Sequence, residues 1–420
     1  MKGLLRLIGI CLIQFPHAAG AGAPDLEGLI DSALAKNSGL KALEHRLAAS
    51  EARVPRAGAL EDPMLGLDLR NVPTSSFDFN STHMSGKQLT VSQRIPLPGL
   101  LRAKEQAAEY AAGAAREVLA DRTGTIVNLV KQGYYALAFL DRAIEVTERN
   151  RALLRDLVRI AEKKYVVGRG LQQDVLKAQV SLSELRDRLI TLNTERRLAE
   201  ARLNRVLNRP MEIAVNVPGE VMATPFDLSV EDVQRMALAH RPLLKEIDHT
   251  ISRWAATEQA AQRSGRPDLT FRFGYQQRAH VAPDPVSGSD FLSFGVSMNL
   301  PIFNGRKRDN RIAEAQANIR MVEAQKEDVS REIQFRVQET CLRIDQHWKE
   351  AELFRSAILP QAQQSLESAM AGYQVDKVDF LTLLNNQVSL LQFEIEFYRH
   401  VIEREKELAK LEAIVGKRLF

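Results

Sequence analysis

The chain of 420 residues is 45% hydrophobic and 26% charged and contains 16 prolines, a composition typical of a folded, largely helical protein. Its net charge is +4, and no basic stripe alternates with aromatic residues, so nucleic-acid binding is not indicated. The sequence has no Gly-rich phosphate loop, no His-Glu-x-x-His and no nucleophile elbow, so we expect neither an enzyme nor a bound cofactor or metal.

The first element is a predicted export signal over residues 1–21. Lys2 and Arg6 provide the basic start, an apolar run extends from Leu4 to Phe15, and Ala19-Gly20-Ala21 provides a small-residue cleavage site. Cleavage would leave Cys341 as the one cysteine, so no intrachain disulfide is expected in the exported protein. No later segment is apolar for long enough to predict a transmembrane helix.

Next in chain order comes a pair of predicted strands, at about 64–72 and 87–95, and a second pair follows at about 268–277 and 290–300. In the first strand Leu65, Leu67 and Leu69 alternate with polar or small residues, and the other three strands alternate in the same way. A soluble sheet packed on a core would also alternate. The arginines on the polar faces, Arg70, Arg94 and Arg272, favour a transmembrane β-barrel with a wet interior.

Each pair of strands leads into a predicted helical hairpin. The first covers 100–208 with its tip at 167–171, and the second covers 306–416 with its tip at 374–379. Apolar residues at 3-4 spacing indicate coiled-coil packing, and an arm of this length would be a rod on the order of 100 Å long. Pro360 lies inside the second hairpin and predicts a kink or a junction between shorter helices.

The two halves are copies of one another. A shift of 204 places residues 26–45 on residues 230–249 with seven of twenty identical, and a shift of 208 places Tyr165 on Tyr373. We therefore divide the chain into two structural repeats, 22–218 and 219–420. Four strands cannot close a barrel, so copies must associate: two would give eight strands and a filled interior, whereas three give twelve and a water-filled passage. A conduit favours the trimer.

The predicted fold is therefore mainly α with a transmembrane β-barrel contribution, in which each duplicated protomer supplies four strands and two coiled-coil hairpins to a trimeric tunnel. This organisation resembles the TolC-type outer-membrane efflux proteins. Similar motifs occur here as the sequences DPMLGL at 62–67, SQRIPLPG at 92–99, NLPIFNG at 299–305, and YVVG at 165–168 followed by DVLKAQ at 174–179. Asn-Val-Pro at 71–73 and the IPLPG corner most resemble the CzcC-like and CusC-like heavy-metal branch.

The resemblance implies a homotrimer in the outer membrane of a Gram-negative bacterium, with its barrel in lipid and its helices extending into the periplasm. It would act as the passive channel of a tripartite efflux pump, together with a periplasmic adaptor and an inner-membrane pump, expected to be of the RND type. The expected cargo is metal cations or small toxic compounds; the pump and adaptor choose the cargo, so the channel sequence does not name it.

The resemblance also implies site residues at the tips. Asp174 and Tyr373 match an acidic residue and a tyrosine that pair to hold the entrance shut. The adaptor-contacting turn matches Val167, Gly168, Arg169 and Gly170, with Lys377 on the second tip. Some relatives carry two acidic residues around the pore where this chain has Thr382 and Asn385. A cation-attracting ring here would use Asp376 and Asp379, which could equally be solvated turn residues.

Two other classes of protein are alternatives to the channel. A periplasmic adaptor should have one helical hairpin flanked by β-rich domains, whereas this chain has two hairpins in a duplicated frame. A structural coiled-coil scaffold would have no use for the alternating strands. Both alternatives predict a protein that does not enter the outer membrane as a heat-sensitive trimer.

Overall fold

A computed structural model describes residues 26–78, 82, 84–217, 221, 223–281, 285, 286 and 288–420. The predicted signal at 1–21 lies outside these residues. The first repeat contains helices α1 (Leu26–Lys36), α2 (Ser38–Glu51) and α3 (Arg53–Gly58), strands β1 (Met64–Arg70) and β2 (Gly86–Ile95), and helices α4 (Leu100–Val166) and α5 (Gln172–Val206).

The second repeat follows the same order. It contains α6 (Val230–His240), α7 (Pro242–Arg263), β3 (Leu269–Gln277), β4 (Phe291–Met298) and α8 (Gly305–Leu353). A π-helical segment (Phe354–Ile358) then leads into α9 (Leu359–Gln374), and α10 (Phe380–Val415) completes the second hairpin. None of the described helices combines the length and apolar content needed to cross a lipid bilayer.

The helix boundaries have local causes. The side chain of Asn37 accepts hydrogen bonds from the backbone N–H groups of Gly39 and Leu40 and so caps α2. Ser229 caps α6 in the same way through the N–H of Asp232. Pro360 lies in the first turn of α9, immediately after the π segment. Proline lacks the N–H that would continue the α-helical hydrogen-bond ladder. The junction expected at Pro360 is therefore the point at which the π-helical segment gives way to the α-helix α9.

The four strands form one antiparallel sheet in the order β1-β2-β3-β4. The register places apolar residues in rows across it, as in Leu65–Val91–Phe273–Phe294. This face is exposed in the single chain, with Leu65 at 71% and Phe294 at 79%. The opposite face carries mostly small and polar residues, as in the row Gly66–Thr90–Gly274–Ser293. β1 ends at Arg70, two residues before the predicted end, because Asn71 takes a left-handed φ of 51°.

The chain divides into two compact units. Among the described residues, one contains those within 26–36, 129–224 and 346–406, and the other contains those within 37–128, 225–345 and 407–420, so the second unit includes the sheet. The first unit has a core where α4, α5, α9 and α10 meet near the hairpin tips, formed by residues such as Leu154, Leu157, Ala178, Tyr373, Phe380 and Leu383. The core of the second joins α6, α7, α8 and the end of α10, with Val233, Leu244, Val337, Cys341 and Leu411 among its buried residues.

Candidate functional site

The first hairpin tip ends α4 with a left-handed glycine. Gly168 has φ +73°, its N–H donates to the carbonyl of Tyr165 at 3.0 Å, and the N–H of Arg169 donates to the carbonyl of Lys164 at 2.8 Å. These two bonds form a Schellman motif, in which the residue after the helix end must adopt the conformation that glycine adopts without steric cost.

The second tip repeats the motif with a different residue at the critical position. Asp376 has φ +60°, its N–H donates to the carbonyl of Tyr373 at 3.4 Å, and the N–H of Lys377 donates to the carbonyl of Gly372 at 2.9 Å. The left-handed conformation costs a residue with a Cβ about 1–2 kcal/mol, and aspartate is among the residues that tolerate it better. Gly168, at the equivalent position of the first tip, has no such cost.

Lys164 connects the two tips within the first unit. Its ammonium donates to the carboxylate of Asp376 and to the carbonyl of Tyr373, and it lies 4.2 Å from the centroid of the Tyr373 ring. The hydrogen bond from Lys164, the charge of Lys164 and the charge of Arg169 hold the pKa of Asp376 below its usual value. Asp376 therefore stays ionised at neutral pH, and the pair is lost only as the pH falls below the ordinary range of an aspartate.

Tyr373 is 6% exposed and packs edge to face on Phe380, with ring centroids 5.5 Å apart. Its hydroxyl is buried and has no hydrogen-bond partner within the described chain. Burial, followed by the negative charges of Asp174 and Asp376, raises the pKa of Tyr373. The structure thus brings Asp174 within electrostatic range of the tyrosine, but a single chain does not form the hydrogen bond that was predicted between them.

Asp379 has a local role at the start of α10. Its carboxylate accepts from the N–H of Thr382 at 2.7 Å and from the Thr382 hydroxyl at 3.2 Å. These bonds, the backbone one first, lower the pKa of Asp379. Asn385 is exposed. Both carboxylates of the predicted cation ring therefore have partners within the chain.

The tips also expose apolar side chains. Val166 is 82% exposed, Val167 68%, Leu171 65% and Val375 62%. Arg169 and Lys377 are exposed beside them. An exposed apolar group with a basic rim is typical of a protein-binding surface. Sequence reasoning named Val167 for this surface but missed Val166, Leu171 and Val375.

Sequence reasoning also missed Lys164. A signal was present, because the shift of 208 that aligns Tyr165 with Tyr373 places Lys164 on Gly372 and Gly168 on Asp376. The first copy has a cation, Lys164, where the second has a glycine. The second copy has an anion, Asp376, where the first has a glycine. Two complementary differences of charge within one aligned turn could have indicated a contact between the tips.

Comparison with known proteins gives consistent matches over most of the chain. The family model described as outer membrane efflux protein matches residues 29–209 and 233–417. The cobalt-zinc-cadmium resistance protein CzcC of Cupriavidus metallidurans is 21% identical over 403 residues, which cover 96% of this chain and 92% of that protein.

Two solved structures share the fold. The outer membrane protein VceC of Vibrio cholerae matches with a TM-score of 0.78 at 19% identity, covering 93% of this chain and 96% of that one. A crystal structure of CusC matches with a TM-score of 0.74 at 18% identity, covering 94% and 92%.

Proposed function

The chain belongs to the outer membrane efflux protein family, and from that premise we propose that three copies close one barrel and that the hairpin tips gate the tunnel. The predicted family resemblance and fold class are confirmed. The protein is an outer-membrane channel of a tripartite efflux system and not its adaptor, and such channels work with a periplasmic adaptor and an inner-membrane pump. The proposal has three further parts. The protein is a homotrimer, lipid surrounds its barrel, and the inner-membrane pump is of the RND type.

The gate proposal rests on one observation: the buried Tyr373 hydroxyl has no hydrogen-bond partner within the described chain, although Asp174 of the other hairpin is within electrostatic range of it. A buried hydroxyl without a hydrogen bond costs free energy, and a hydrogen bond accepted by Asp174 in the assembled channel would remove that cost. Lys164 adds a second connection between the hairpins through Asp376.

These connections are weak enough to be opened. The Asp376 side chain is half-exposed, and solvent-exposed ion pairs of this kind contribute little to stability. An adaptor that binds the open tips more tightly than the closed tips could therefore shift the equilibrium with a modest difference in affinity. We place that adaptor contact on Val167, Gly168, Arg169 and Gly170 of the first tip and on Lys377 of the second.

Conductance in planar bilayers tests the gate. We expect small, flickering currents from the wild type and large, steady currents from the double variant Asp174→Ala, Tyr373→Phe. Lys164→Met should also raise the open probability, because it removes the cation that joins the two hairpins. Lys163→Met is the matched control, since Lys163 is exposed and precedes Lys164 on the same helix.

Unchanged currents in both gate variants would keep the channel and refute the gate residues. Absence of currents from membrane-inserted trimers would refute the conduit. The same recordings under a salt gradient report whether Asp376 and Asp379 make the entrance prefer cations, because Asp379→Asn should then lower the cation permeability relative to that of anions.

The cargo proposal is metal cations, with small toxic compounds as the second candidate. It is supported by the similarity to the cobalt-zinc-cadmium resistance protein, which extends over nearly the whole chain. Growth of a host lacking its own channel, complemented with this chain and its adaptor and pump, in graded cobalt, zinc or cadmium would distinguish the two. Protection against organic compounds alone would refute the metal assignment.

A further inference from the structure

Two imidazoles and one carboxylate converge between α8 and α10, in the first unit and away from the hairpin tips. His347 and Glu350 are three residues apart on α8 and share one face of it. His400 approaches from α10. The Nδ1 atoms of the two histidines are 3.3 Å apart, and Oε2 of Glu350 lies 2.9 Å from Nδ1 of His400 and 3.4 Å from Nδ1 of His347.

These spacings match those between the ligand atoms of a bound transition-metal ion. Zinc binds imidazole nitrogen and carboxylate oxygen at about 2.0–2.1 Å in tetrahedral geometry, which places neighbouring ligand atoms about 3.3–3.4 Å apart. The three distances here extend from 2.9 to 3.4 Å. The three atoms therefore already surround a point at bonding distance from each of them.

The carboxylate oxygen at this point makes no hydrogen bond within the described chain. Oε2 of Glu350 is buried, and none of its contacts within the described chain has the geometry of a hydrogen bond. A buried carboxylate oxygen without a hydrogen bond is costly, so such atoms commonly have a cation as partner. The other oxygen, Oε1, accepts from Nε2 of Gln346 at 2.9 Å, which fixes the orientation of the carboxylate.

The surroundings also orient the histidine on α10. The ring of Phe354 lies 5.5 Å from the ring of His400, and Phe354 is the first residue of the π-helical segment. Outer contacts that hold ligands in place are a regular feature of metal sites, and π segments occur often at functional sites.

We propose that His347, Glu350 and His400 bind one borderline divalent transition ion, of the Zn²⁺ and Co²⁺ class, in each chain. Two nitrogen ligands and one oxygen ligand suit such ions better than they suit Mg²⁺ or Ca²⁺, which prefer oxygen alone. Three protein ligands leave at least one position for water, so the ion exchanges with solution and links α8 to α10 reversibly. The site does not depend on the gate or on what the channel exports.

Cobalt binding to the full-length mature protein, prepared without a histidine tag, tests the site directly. Co²⁺ added to the detergent-solubilised wild type should produce visible d–d absorption that saturates at one ion per chain, and Zn²⁺ should displace it. Glu350→Gln and His400→Gln should each weaken Co²⁺ binding about tenfold or more, since each removes a ligand. His249→Gln, in the second unit, is the control and should bind Co²⁺ as the wild type does.

Thermal unfolding gives a second readout that does not depend on the spectrum. Zn²⁺ should raise the midpoint of the wild type and leave that of the double variant Glu350→Gln, His400→Gln unchanged, because only an ion bound to the native state stabilises it. Absence of d–d absorption in the wild type would overturn the proposal. The cluster would then be one in which the histidines and Glu350 interact only through protons. Binding that persists in a helical, folded double variant would overturn it equally. Bilayer currents are unaffected by either result, so the metal site and the channel gate can fail separately.

Discussion

At the scale of single residues, backbone conformation decides which side chains the tips can carry. Gly168 and Asp376 occupy equivalent left-handed positions, with φ values of +73° and +60°. The glycine pays no steric cost there, whereas the aspartate does. Its carboxylate in return reaches Lys164, a contact that a glycine could not make. The second tip thus has a strained backbone at Asp376 but gains a contact with the first hairpin.

Gly168→Ala should destabilise the first tip by about 1 kcal/mol, because alanine is strained at a positive φ. A Cβ at this position would meet no other atom within 4 Å, so the loss isolates the backbone effect from any clash. Thermal or denaturant unfolding, or amide exchange at the end of α4, would measure it. Gly28→Ala is a control in equally open space at an ordinary helical position, and there the substitution should be neutral or stabilising. Equal effects of the two substitutions would contradict this account.

At the scale of elements, the two faces of the sheet fit the proposed barrel, in which one face contacts lipid and the other contacts water. Two apolar rows, Leu65–Val91–Phe273–Phe294 and Leu67–Leu89–Tyr275–Leu292, continue across all four strands in register. Lipid on one side and water on the other require such a pattern, and a slip of one residue would invert every side chain of a strand. Exposure of Leu65 and Phe294 in the single chain is therefore what a lipid-facing surface requires.

Val296→Arg should prevent or weaken membrane insertion, since Val296 lies in an apolar row opposite Phe271. An arginine on the lipid face costs about 2–4 kcal/mol near the middle of the bilayer. Ser297→Arg is the matched control, one residue along the strand and on the other face. Heat-sensitive trimer in isolated outer membranes would be quantified on gels, and equal yields from the two variants would count against the assignment of the faces.

The four strands and two hairpins were predictable because both arise from periodic patterns imposed by lipid, water or a packed seam. Gly168 was predictable as a turn residue for a local reason. Lys164 was not assigned, because its partner Asp376 is 212 residues away and both look like ordinary solvated charges. His347 and His400 are 53 residues apart on different helices, so no spacing motif connects them. Contacts between distant helices depend on rotation and register, which a periodic pattern fixes only approximately.

At the scale of the whole molecule, the sheet is incomplete in one chain. β1 pairs with β2 alone and β4 with β3 alone among the described strands, so each outer strand has one unpaired edge. Unpaired backbone groups in lipid cost several kcal/mol each. We therefore expect β4 of one copy to pair with β1 of the next, and three copies to close twelve strands around a passage wide enough for water.

Amide exchange tests this closure without any substitution. In the membrane-embedded trimer, the amides of β1 and β4 that point away from β2 and β3 should exchange as slowly as those of the central strands. Material dissociated by heat should lose this protection in the outer strands first. Fast exchange confined to β1 and β4 in intact trimers would show an open sheet and exclude the closed barrel.

The two tips have also diverged in a way that makes them dependent on each other. Lys164 stands opposite a glycine in the second copy, and Asp376 stands opposite a glycine in the first. The cation therefore lies on the first hairpin and the anion on the second. Two copies of the first turn would lack the anion, and two copies of the second would lack the cation. The entrance thus has a chemical asymmetry, because the two turns are not interchangeable in this ion pair.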